Sequence, residues 1–461
     1  MQDQPSRRDF LAAAGLAVSA STLQQPARTN RLLLKGGCVV SLDSSVGDFE
    51  KADVLIDGTR ITEVRPNITA SATTIDATGK IVMPGLIDTH RHMWEGPLRN
   101  ILPNGLLSDY TRDITGTARS VYRPEDVRIG NLISALGAIN AGVTTLLDWS
   151  HIGNSPQHTD AAIEGLREAG VRAVYAYGAG AGGPQNQFPS DIRRLRRQYF
   201  SSSDQLLTLA MATGASPSDW KVAREVSAPI TLHVRGQNSL APVRDVLGSD
   251  VTYIHCNDLA ESDWQMIESS GGHVSIACPI EMEMGHGIPP IQEAINHGIR
   301  PSISTDVETQ MPADLFTQMR SVFTLQRMLA LARERAGEPN PPRLLTVREV
   351  LSFATIEGAK VNALDRKAGT LTPGKEADII LLRMDDINVM PVNNVFGAIV
   401  LAMDASNVDT VVIGGKIVKR EGKLVGVDQE RIRRQVHQSR DYLVEKAGWP
   451  KTLFGGYLPG H

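Results

Sequence analysis

Two histidines separated by one residue are the first feature of this chain that could do chemistry. His90 and His92 follow a short apolar run, Ile81–Thr89, whose Ile and Val content is typical of a β-strand. Side chains at positions i and i+2 of a strand lie on the same face, so the two imidazoles should converge. Such a pair supplies half of a metal site, although two structural histidines would give the same pattern.

Further residues that could bind a metal occur downstream at equivalent places. His233 and His255 lie at the ends of two more apolar runs, and Asp306 directly follows a third. A catalytic zinc site needs a few nitrogen or oxygen ligands and one open position for water. These three residues and the histidine pair are therefore the candidates for a catalytic metal site.

The elements that must position these residues form a regular series. Eight short runs rich in β-forming residues alternate with helix-like segments, and the candidate ligands all lie at or just beyond the C-terminal ends of runs. Strands that alternate with helices imply a parallel sheet, and eight such units predict an α/β fold of the (β/α)8 TIM barrel type, with its chemistry at those ends. The runs are Ile81–Thr89, Val143–Trp149, Val171–Tyr177, Leu206–Met211, Pro229–Val234, Val251–His255, His273–Ala277 and Arg300–Thr305.

A second unit is predicted from both ends of the chain. Residues 29–82 and 370–426 contain further strand-like runs and turn signals, such as Asp57-Gly58, but neither half could bury its own faces. Together they should form a small β-sandwich beside the barrel, which is assigned to residues 83–369. Residues 427–461 are predicted to form a C-terminal helix and tail.

The N-terminus predicts where the protein works. Arg7-Arg8, within Ser6–Leu11, precedes a short, weakly hydrophobic stretch, Ala12–Ala20. This pattern is typical of a twin-arginine (Tat) signal peptide, assigned to residues 1–28, although a disordered basic start would share part of it. The sequence therefore predicts a bacterial protein that the Tat export machinery carries, already folded, to the periplasm or the medium.

Composition narrows the range of partners. The 461 residues are 41% hydrophobic, which suffices for a barrel and a second unit. The net charge of −4 and the absence of a basic stripe argue against nucleic acid as a partner. The sequence has no run of about 18 apolar residues, so a membrane span is not predicted. We expect a small-molecule substrate, and the sequence leaves a homo-oligomer open.

Several motifs together resemble one known family. The chain resembles the metal-dependent amidohydrolase superfamily, on the side of the cytosine deaminase and triazine hydrolase group, over about residues 30–425. The matching segments are Pro84–His92, His233, His255-Cys256, Cys278-Pro279, Met284–Pro289, Ser304–Asp306 and Gly369–Ile380.

The resemblance implies a metal site of known composition. His90, His92, His233 and Asp306 would be the ligands of one divalent ion. Members with a second ion usually bridge the pair through a lysine on strand 4, and the run Leu206–Thr213 has none. Zinc is the favoured metal, while imidazole and carboxylate ligands suit iron as well.

The resemblance also implies catalytic and substrate-binding roles. A metal-bound hydroxide would attack the substrate, Asp306 would carry the proton, and His255 would orient the nucleophile or polarise the substrate. His151 is an additional candidate for a substrate contact, and Glu308 is expected near the mouth of the pocket. The predicted substrate contacts are Arg235, His286, Trp94, Glu281 and Glu283.

One position departs from the pattern of the deaminases. Those enzymes usually carry Glu three residues after the histidine of strand 5, and this chain has Gly236 there. Arg235 shares the face of His233 and could bind an anionic group, or it could form a salt bridge at the rim. Glu281, Glu283 or Glu308 would have to replace the missing acid.

These observations predict a metal-dependent hydrolase. The favoured reaction is cleavage of a non-peptide carbon–nitrogen bond, by deamination or ring opening, in a small cyclic or aromatic substrate. Hydrolysis of a carbon–oxygen or carbon–halogen bond by the same site is the alternative. A periplasmic binding protein without activity is the non-enzymatic alternative, and Asp306 argues against it because a binding protein has least need of that carboxylate.

Overall fold

The computed structural model describes residues 31–453, so the predicted signal peptide and the end of the predicted tail lie outside the described residues. In chain order the strands are β1 (Arg31–Val39), β2 (Phe49–Asp57), β3 (Arg60–Arg65), β4 (Thr73–Asp76), β5 (Lys80–Pro84), β6 (Leu86–Arg91), β7 (Val143–Gly153), β8 (Arg172–Ala179), β9 (Leu207–Ala212), β10 (Ile230–Arg235), β11 (Val251–Asn257), β12 (His273–Ile276), β13 (Ser302–Ile303), β14 (Ile379–Arg383), β15 (Val408–Ile413), β16 (Lys416–Arg420) and β17 (Lys423–Leu424).

Most of the longer α-helices alternate with the barrel strands, and the last one follows the final strand of the chain. They are α1 (Pro124–Asn140), α2 (Pro156–Ala169), α3 (Ile192–Gln198), α4 (Pro217–Glu225), α5 (Glu261–Ser270), α6 (Cys278–Glu283), α7 (Ile291–Asn296), α8 (Leu315–Arg335), α9 (Val347–Phe353), α10 (Ile356–Val361) and α11 (Gln429–Lys446). A 3₁₀ helix at Met93–Leu98 and a π-helix at Tyr110–Ala118 lie between β6 and α1.

The predicted barrel is confirmed. Strands β6 to β13 form one parallel eight-stranded sheet in sequence order. Its two edges meet beyond the end of β13, where the backbone N–H of Asp306 donates to the carbonyl of His90 and the N–H of His92 donates to the carbonyl of Asp306, both at 2.9 Å. Barrel closure itself therefore sets Asp306 between the two histidines of the first strand.

A glycine separates the two units at the start of the barrel. β5 belongs to the terminal sheet and β6 to the barrel, with Gly85 between them. A Cβ atom at Gly85 would lie 2.1 Å from the side chain of Thr144 on β7. Only glycine lets the backbone pass this close to the neighbouring strand.

The strands outside the barrel form one mostly antiparallel sheet from both ends of the chain. Its order is β17-β16-β15-β14-β5-β1-β2-β3, with β4 beside β1. The sheet folds over, because the carbonyl of Thr59 in the β2–β3 turn accepts from the N–H of Ala377 just before β14. Side chains from both halves, such as Val54 and Ile379, share one core. This second unit from the two termini confirms the prediction.

A buried ion cluster joins this sheet to the barrel. Arg172, at the start of β8, donates through Nε and Nη2 to the two carboxylate oxygens of Asp378, at 2.5 and 3.1 Å, and Glu376 lies 3.4 Å from Nη2. All three side chains are buried. Within residues 31–453, none of the helices combines the length and the hydropathy needed to cross a membrane.

Candidate metal centre and substrate cavity

Four side chains converge at the C-terminal end of the barrel. One nitrogen or oxygen atom from each of His90, His233, His255 and Asp306 lies within 4.8 Å of all the others. Nε2 of His90 is 2.9 Å from Oδ1 of Asp306 and 3.1 Å from Nε2 of His233. Three strand ends and the loop after β13 thus aim their side chains at one point.

His92 completes the group from the end of β6. Its Nδ1 donates to the backbone carbonyl of Trp149 at 2.9 Å, which leaves the lone pair on Nε2, 3.4 Å from Oδ1 of Asp306. A hydrogen bond that fixes the far nitrogen is typical of histidines that bind metals. The four predicted ligands are therefore brought together, and His255 lies within the same group.

The protonation states suit a cation. Burial lowers the pKa of His90 to about 3 and that of His233 well below its usual value, so both rings are neutral at pH 7. Burial also disfavours the charged form of His92, but its hydrogen bond with Asp306 and the charge of Glu95 outweigh this and raise its pKa. Neutral imidazole is the form that binds a metal, and a metal would compete with a proton only at His92.

Asp306 is ionised in these surroundings. Burial disfavours its charged form, but the neighbouring histidines outweigh this effect and hold the pKa of Asp306 well below its ordinary value. Nδ1 of His90 is buried without a hydrogen-bond partner. A carboxylate among three imidazoles is a donor set that fits zinc or iron, so the residues present fit the predicted metal.

His255 is held in one tautomer by Glu281. Oε1 of Glu281 accepts from the backbone N–H of Ala277 at 2.9 Å and also bonds Nδ1 of His255 at 3.0 Å. Because that oxygen acts as acceptor, Nδ1 of His255 is the donor and Nε2 carries a lone pair. Nε2 lies 3.7 Å from Oδ2 of Asp306, so the two acceptors can share a proton on a group between them.

A second hydrogen-bonded chain lies beside His92. Nε1 of Trp94 donates to Nδ1 of His151 at 3.2 Å, and Nε2 of His151 lies 3.4 Å from Oη of Tyr110. That hydroxyl donates to Glu95 at 2.5 Å. Burial raises the pKa of Glu95 to about 8. The chain fixes the orientation of Tyr110 and His151 on the cavity wall.

A cavity of about 530 Å³ opens from these ligands. It combines aromatic and apolar surfaces with the metal-binding side chains, as small-molecule sites commonly do. Its walls are formed by His92, Leu107, Tyr110, Thr111, Thr115, Arg119, Trp149, His151, Ala179, Phe188, Ala212, Thr213, Gly214, Asp219, His233, Arg235, His255, Met284, His286, Asp306 and Val307.

The predicted substrate contacts divide into two groups. Arg235 and His286 line the cavity. Trp94 is fully buried behind His151, and Glu281 is fully buried behind His255, so neither reaches the cavity wall. Glu283 is exposed at the end of α6 and lies off the wall. Trp94 and Glu281 thus support His151 and His255, which line the cavity.

Glu308 is engaged elsewhere. It is buried and accepts hydrogen bonds from the guanidinium groups of Arg91 and Arg99. Burial alone would raise its pKa, but the two arginines outweigh this and hold it at about 2. A carboxylate in this state does not deliver protons near neutral pH, so Glu308 cannot replace the acid missing at Gly236.

Sequence reasoning missed several residues of the cavity wall. Arg119, Thr111 and Thr115 come from the segment between β6 and α1. Phe188 comes from the loop after β8, and Asp219 comes from the helix that follows β9. None of them lies at a strand end. Asp219, in the first turn of α4, was the one with a local signal, because Ser216-Pro217 is typical of a helix start.

Comparison with known proteins agrees with this geometry. The amidohydrolase family profile matches residues 81–418. The 5'-deoxyadenosine deaminase of Methanosarcina mazei is 26% identical over 443 residues, which cover 90% of this chain and 99% of that protein. The 5-methylthioadenosine/S-adenosylhomocysteine deaminase of Thermococcus kodakarensis is 26% identical over 415 residues, which cover 84% of this chain and 93% of that protein.

Solved structures show the same fold. A zinc-bound adenosine deaminase from Xanthomonas campestris superposes with a TM-score of 0.77 at 20% identity, over 89% of this chain and 98% of that one. The zinc complex of atrazine chlorohydrolase from Arthrobacter aurescens gives 0.74 at 22% identity, over 89% and 100% of the two chains. With more than half of its length matched by the family profile, the chain belongs to the amidohydrolase family.

Proposed function

We propose that this protein is a deaminating hydrolase that uses one divalent ion, with zinc favoured over iron, to cleave a carbon–nitrogen bond of a small cyclic substrate. That it is an enzyme of the hydrolase class acting on such bonds follows from its family, and the alternative of a binding protein without activity is set aside. The observation that carries the proposal is the convergence of His90, His233 and Asp306 at the head of an aromatic-lined cavity.

His90, His92, His233 and Asp306 would hold the ion. When bound, such an ion makes a water molecule acidic enough to act as a nucleophile near neutral pH. Asp306 is the base that takes the proton, because its carboxylate is ionised and faces the cavity. His255 presents an unprotonated Nε2 beside it and orients the attacked group, while Glu281 keeps that tautomer in place.

The metal number and identity are open to direct measurement. The wall of strand β9 offers Ala212 and Thr213 to the cavity and no lysine that could bridge two ions. We expect one ion per chain by inductively coupled plasma mass spectrometry, and reconstitution with zinc should restore activity at least as well as iron. Two ions per chain in washed protein would contradict the mononuclear site.

Ammonia release decides the reaction. The mature protein would be assayed for ammonia over a panel of aminated heterocycles, with Asp306→Asn as the inactive control. Release of ammonia by the native protein but not by the variant supports deamination. Deamination would be contradicted if the protein hydrolysed substrates of the panel but released ammonia from none of them.

A second reaction is favoured by one observation at β10. Gly236 has no side chain at the position where deaminases of the group usually carry the glutamate that protonates a ring nitrogen, and a Cβ atom built there meets nothing within 4 Å. A leaving group that needs no such proton, such as halide, would suit this site. Release of chloride from a chlorinated heterocycle, measured beside ammonia from its aminated analogue, separates the two reactions.

We also propose export by the Tat route, on the basis of Arg7-Arg8 and the weakly hydrophobic stretch after them. A protein that must leave the cell with its metal in place benefits from folding before transport. Replacing Arg7 and Arg8 by lysine should keep the precursor in the cytoplasm, as cell fractionation would show. Efficient export of that variant would rule the route out.

A further inference from the structure

Arg119 is a cation without an acidic partner on the cavity wall. It follows the π-helix at Tyr110–Ala118, and its hydrogen-bond contact is a weak one from Nη1 to the carbonyl of His151 at 3.4 Å. Its Nε is buried with no hydrogen-bond partner. Over residues 31–453, no carboxylate forms an ion pair with this guanidinium, and burial lowers its pKa.

Arg235 is a second cation on the same cavity, and unlike Arg119 it is exposed. It lies at the end of β10, two residues after His233, and lines the cavity. Its backbone carbonyl accepts from Ser239, but its guanidinium makes no ion pair with any carboxylate of the described chain. Two arginines that line one cavity and have free donor groups can bind an anion there.

The fully buried arginines among residues 31–453 are paired, whereas Arg119 is half-buried. Arg91 bonds Asp88 and Glu308, and Arg172 bonds Asp378. Burying a charge without a partner is costly, which explains this pairing. Arg119 departs from the rule only where the protein surface becomes a ligand cavity, so the missing partner is expected to come from the ligand.

The acids of the cavity do not fill that role. Asp306 is committed to the histidines of the metal centre, and Asp219 accepts from Oγ1 of Thr213 at 2.9 Å. His286 adds one more free donor, because both of its buried ring nitrogens have no partner and the neutral ring carries one N–H. The cavity therefore offers more free donors than its own acceptors satisfy.

We infer that the substrate carries a carboxylate, or a group of similar charge and shape, which Arg119 and Arg235 bind while its scissile bond lies at the metal centre. This inference rests on the proposed hydrolysis of a small cyclic substrate and adds the charge of that substrate. It makes the two arginines the residues that select an anionic ring compound over a neutral nucleoside or base.

The test measures binding without turnover. The Asp306→Asn protein would be titrated calorimetrically with 6-aminonicotinate and with its neutral analogue 6-aminonicotinamide, which differ only in the charged group. The carboxylate should bind at least about tenfold more tightly, as expected for hydrogen bonds to a charged group. Adding Arg119→Met or Arg235→Met should each remove about tenfold of its affinity and leave the amide unchanged.

Matched variants control for the fold. Arg244→Met removes an exposed arginine that does not line the cavity and should change neither affinity. Arg119→Lys keeps the charge and should retain part of the preference, which also provides a soluble variant if Arg119→Met does not fold.

The outcomes separate this inference from the proposed reaction. Three outcomes would overturn the anion site: equal affinity for the two ligands, methionine variants that lose as much affinity for the amide as for the carboxylate, or no binding of either ligand. A strong preference for the carboxylate together with no hydrolysis by the native protein would support the anion site and contradict the proposed reaction alone.

Discussion

Asp306 combines more functions than any other single residue of the site. Its backbone closes the barrel, and its carboxylate faces His90, His92 and His255. Asp306→Asn preserves the shape but removes the base, so turnover should fall by roughly 10²–10⁴-fold while much of the metal is retained. Steady-state kinetics with metal analysis checks this.

Asp219→Asn provides the control for that substitution, because Asp219 lines the same cavity without contacting the histidines. It should keep most of the turnover number. Near-normal turnover in Asp306→Asn would show that another group accepts the proton.

His286 should make the metal-free protein sensitive to acid. Burial lowers its pKa to about 4, below the value near 6.5 of the unfolded chain. As the pH falls, the unfolded state therefore binds a proton at His286 before the folded state does. The free energy of unfolding is unaffected by this group above about pH 6.5 and decreases as the pH falls towards 4. Between these limits the loss is at most about 3 kcal/mol.

The comparison that isolates this effect uses His286→Gln, which does not titrate. Urea unfolding of both metal-free proteins at about pH 7.5 and about pH 4.5 gives the change for each. The native protein should lose more stability than the variant on acidification. Parallel losses would mean that the pKa of His286 in the folded state is close to the value of about 6.5 in the unfolded chain.

Local spacing made part of the site predictable and left the rest hidden. The pair His90 and His92 and the terminal positions of His233 and Asp306 follow from strand periodicity, which a sequence displays directly. Glu308 could not be assigned, because its state depends on Arg91 and Arg99, more than 200 residues away along the chain. Arg119 was missed for a related reason: it directly follows a π-helix, and such a segment has no simple periodicity.

The order of the barrel strands was predictable, because each strand is a short run rich in β-forming residues that lies between helices. The exact division at Gly85 was not, because it depends on the close approach of Thr144 on the neighbouring strand. The apolar run before His90, which Pro84-Gly85 interrupts, proved to be two strands in two different sheets, β5 and β6. Burial on both faces makes such runs look alike in sequence.

The contact between β8 and the terminal sheet predicts a large stability effect. Asp378 accepts two hydrogen bonds from Arg172 and a third from the backbone N–H of Gly414 at 2.7 Å. Asp378→Ala leaves a buried guanidinium with only the distant oxygen of Glu376, so the free energy of unfolding should fall by about 3–5 kcal/mol. Chemical denaturation measures this change.

An exposed ion pair supplies the control. Arg348 and Asp48 lie 2.6 Å apart, with 49% and 28% of their side chains exposed, and they also join the two units. Arg348→Met removes this ion pair but keeps the hydrogen bond from the Ser41 N–H to Asp48, so it should lower the free energy of unfolding by no more than about 1 kcal/mol, because solvent screens such pairs. Similar losses in the two variants would mean that the buried cluster contributes little to the junction.

The ligands come from distant strands of the barrel sheet. His90 lies on β6 at one edge, Asp306 follows β13 at the other edge, and His233 lies on β10 between them. An ion bound to His90, His233 and Asp306 would therefore tie together segments that are far apart in the chain. Binding only to the folded state stabilises it by about 4 kcal/mol when the free metal is about 1,000 times its dissociation constant. The metal should thus support the fold as well as the chemistry.

This linkage should make the thermal stability of the protein depend on zinc. Removal of the metal by a chelator should lower the thermal midpoint of the native protein by several degrees, and zinc should restore it, because the convergent imidazoles bind the ion only when the barrel is closed. His233→Ala removes one ligand at the cavity wall. Its midpoint should be nearly independent of zinc, with about one ion per chain lost. His158→Ala serves as the control, since His158 bonds Ser155 and the carbonyl of Tyr122 far from the ligands, and its response to zinc should equal that of the native protein. A zinc-dependent midpoint in His233→Ala as large as in the native protein would place the ion elsewhere in the molecule.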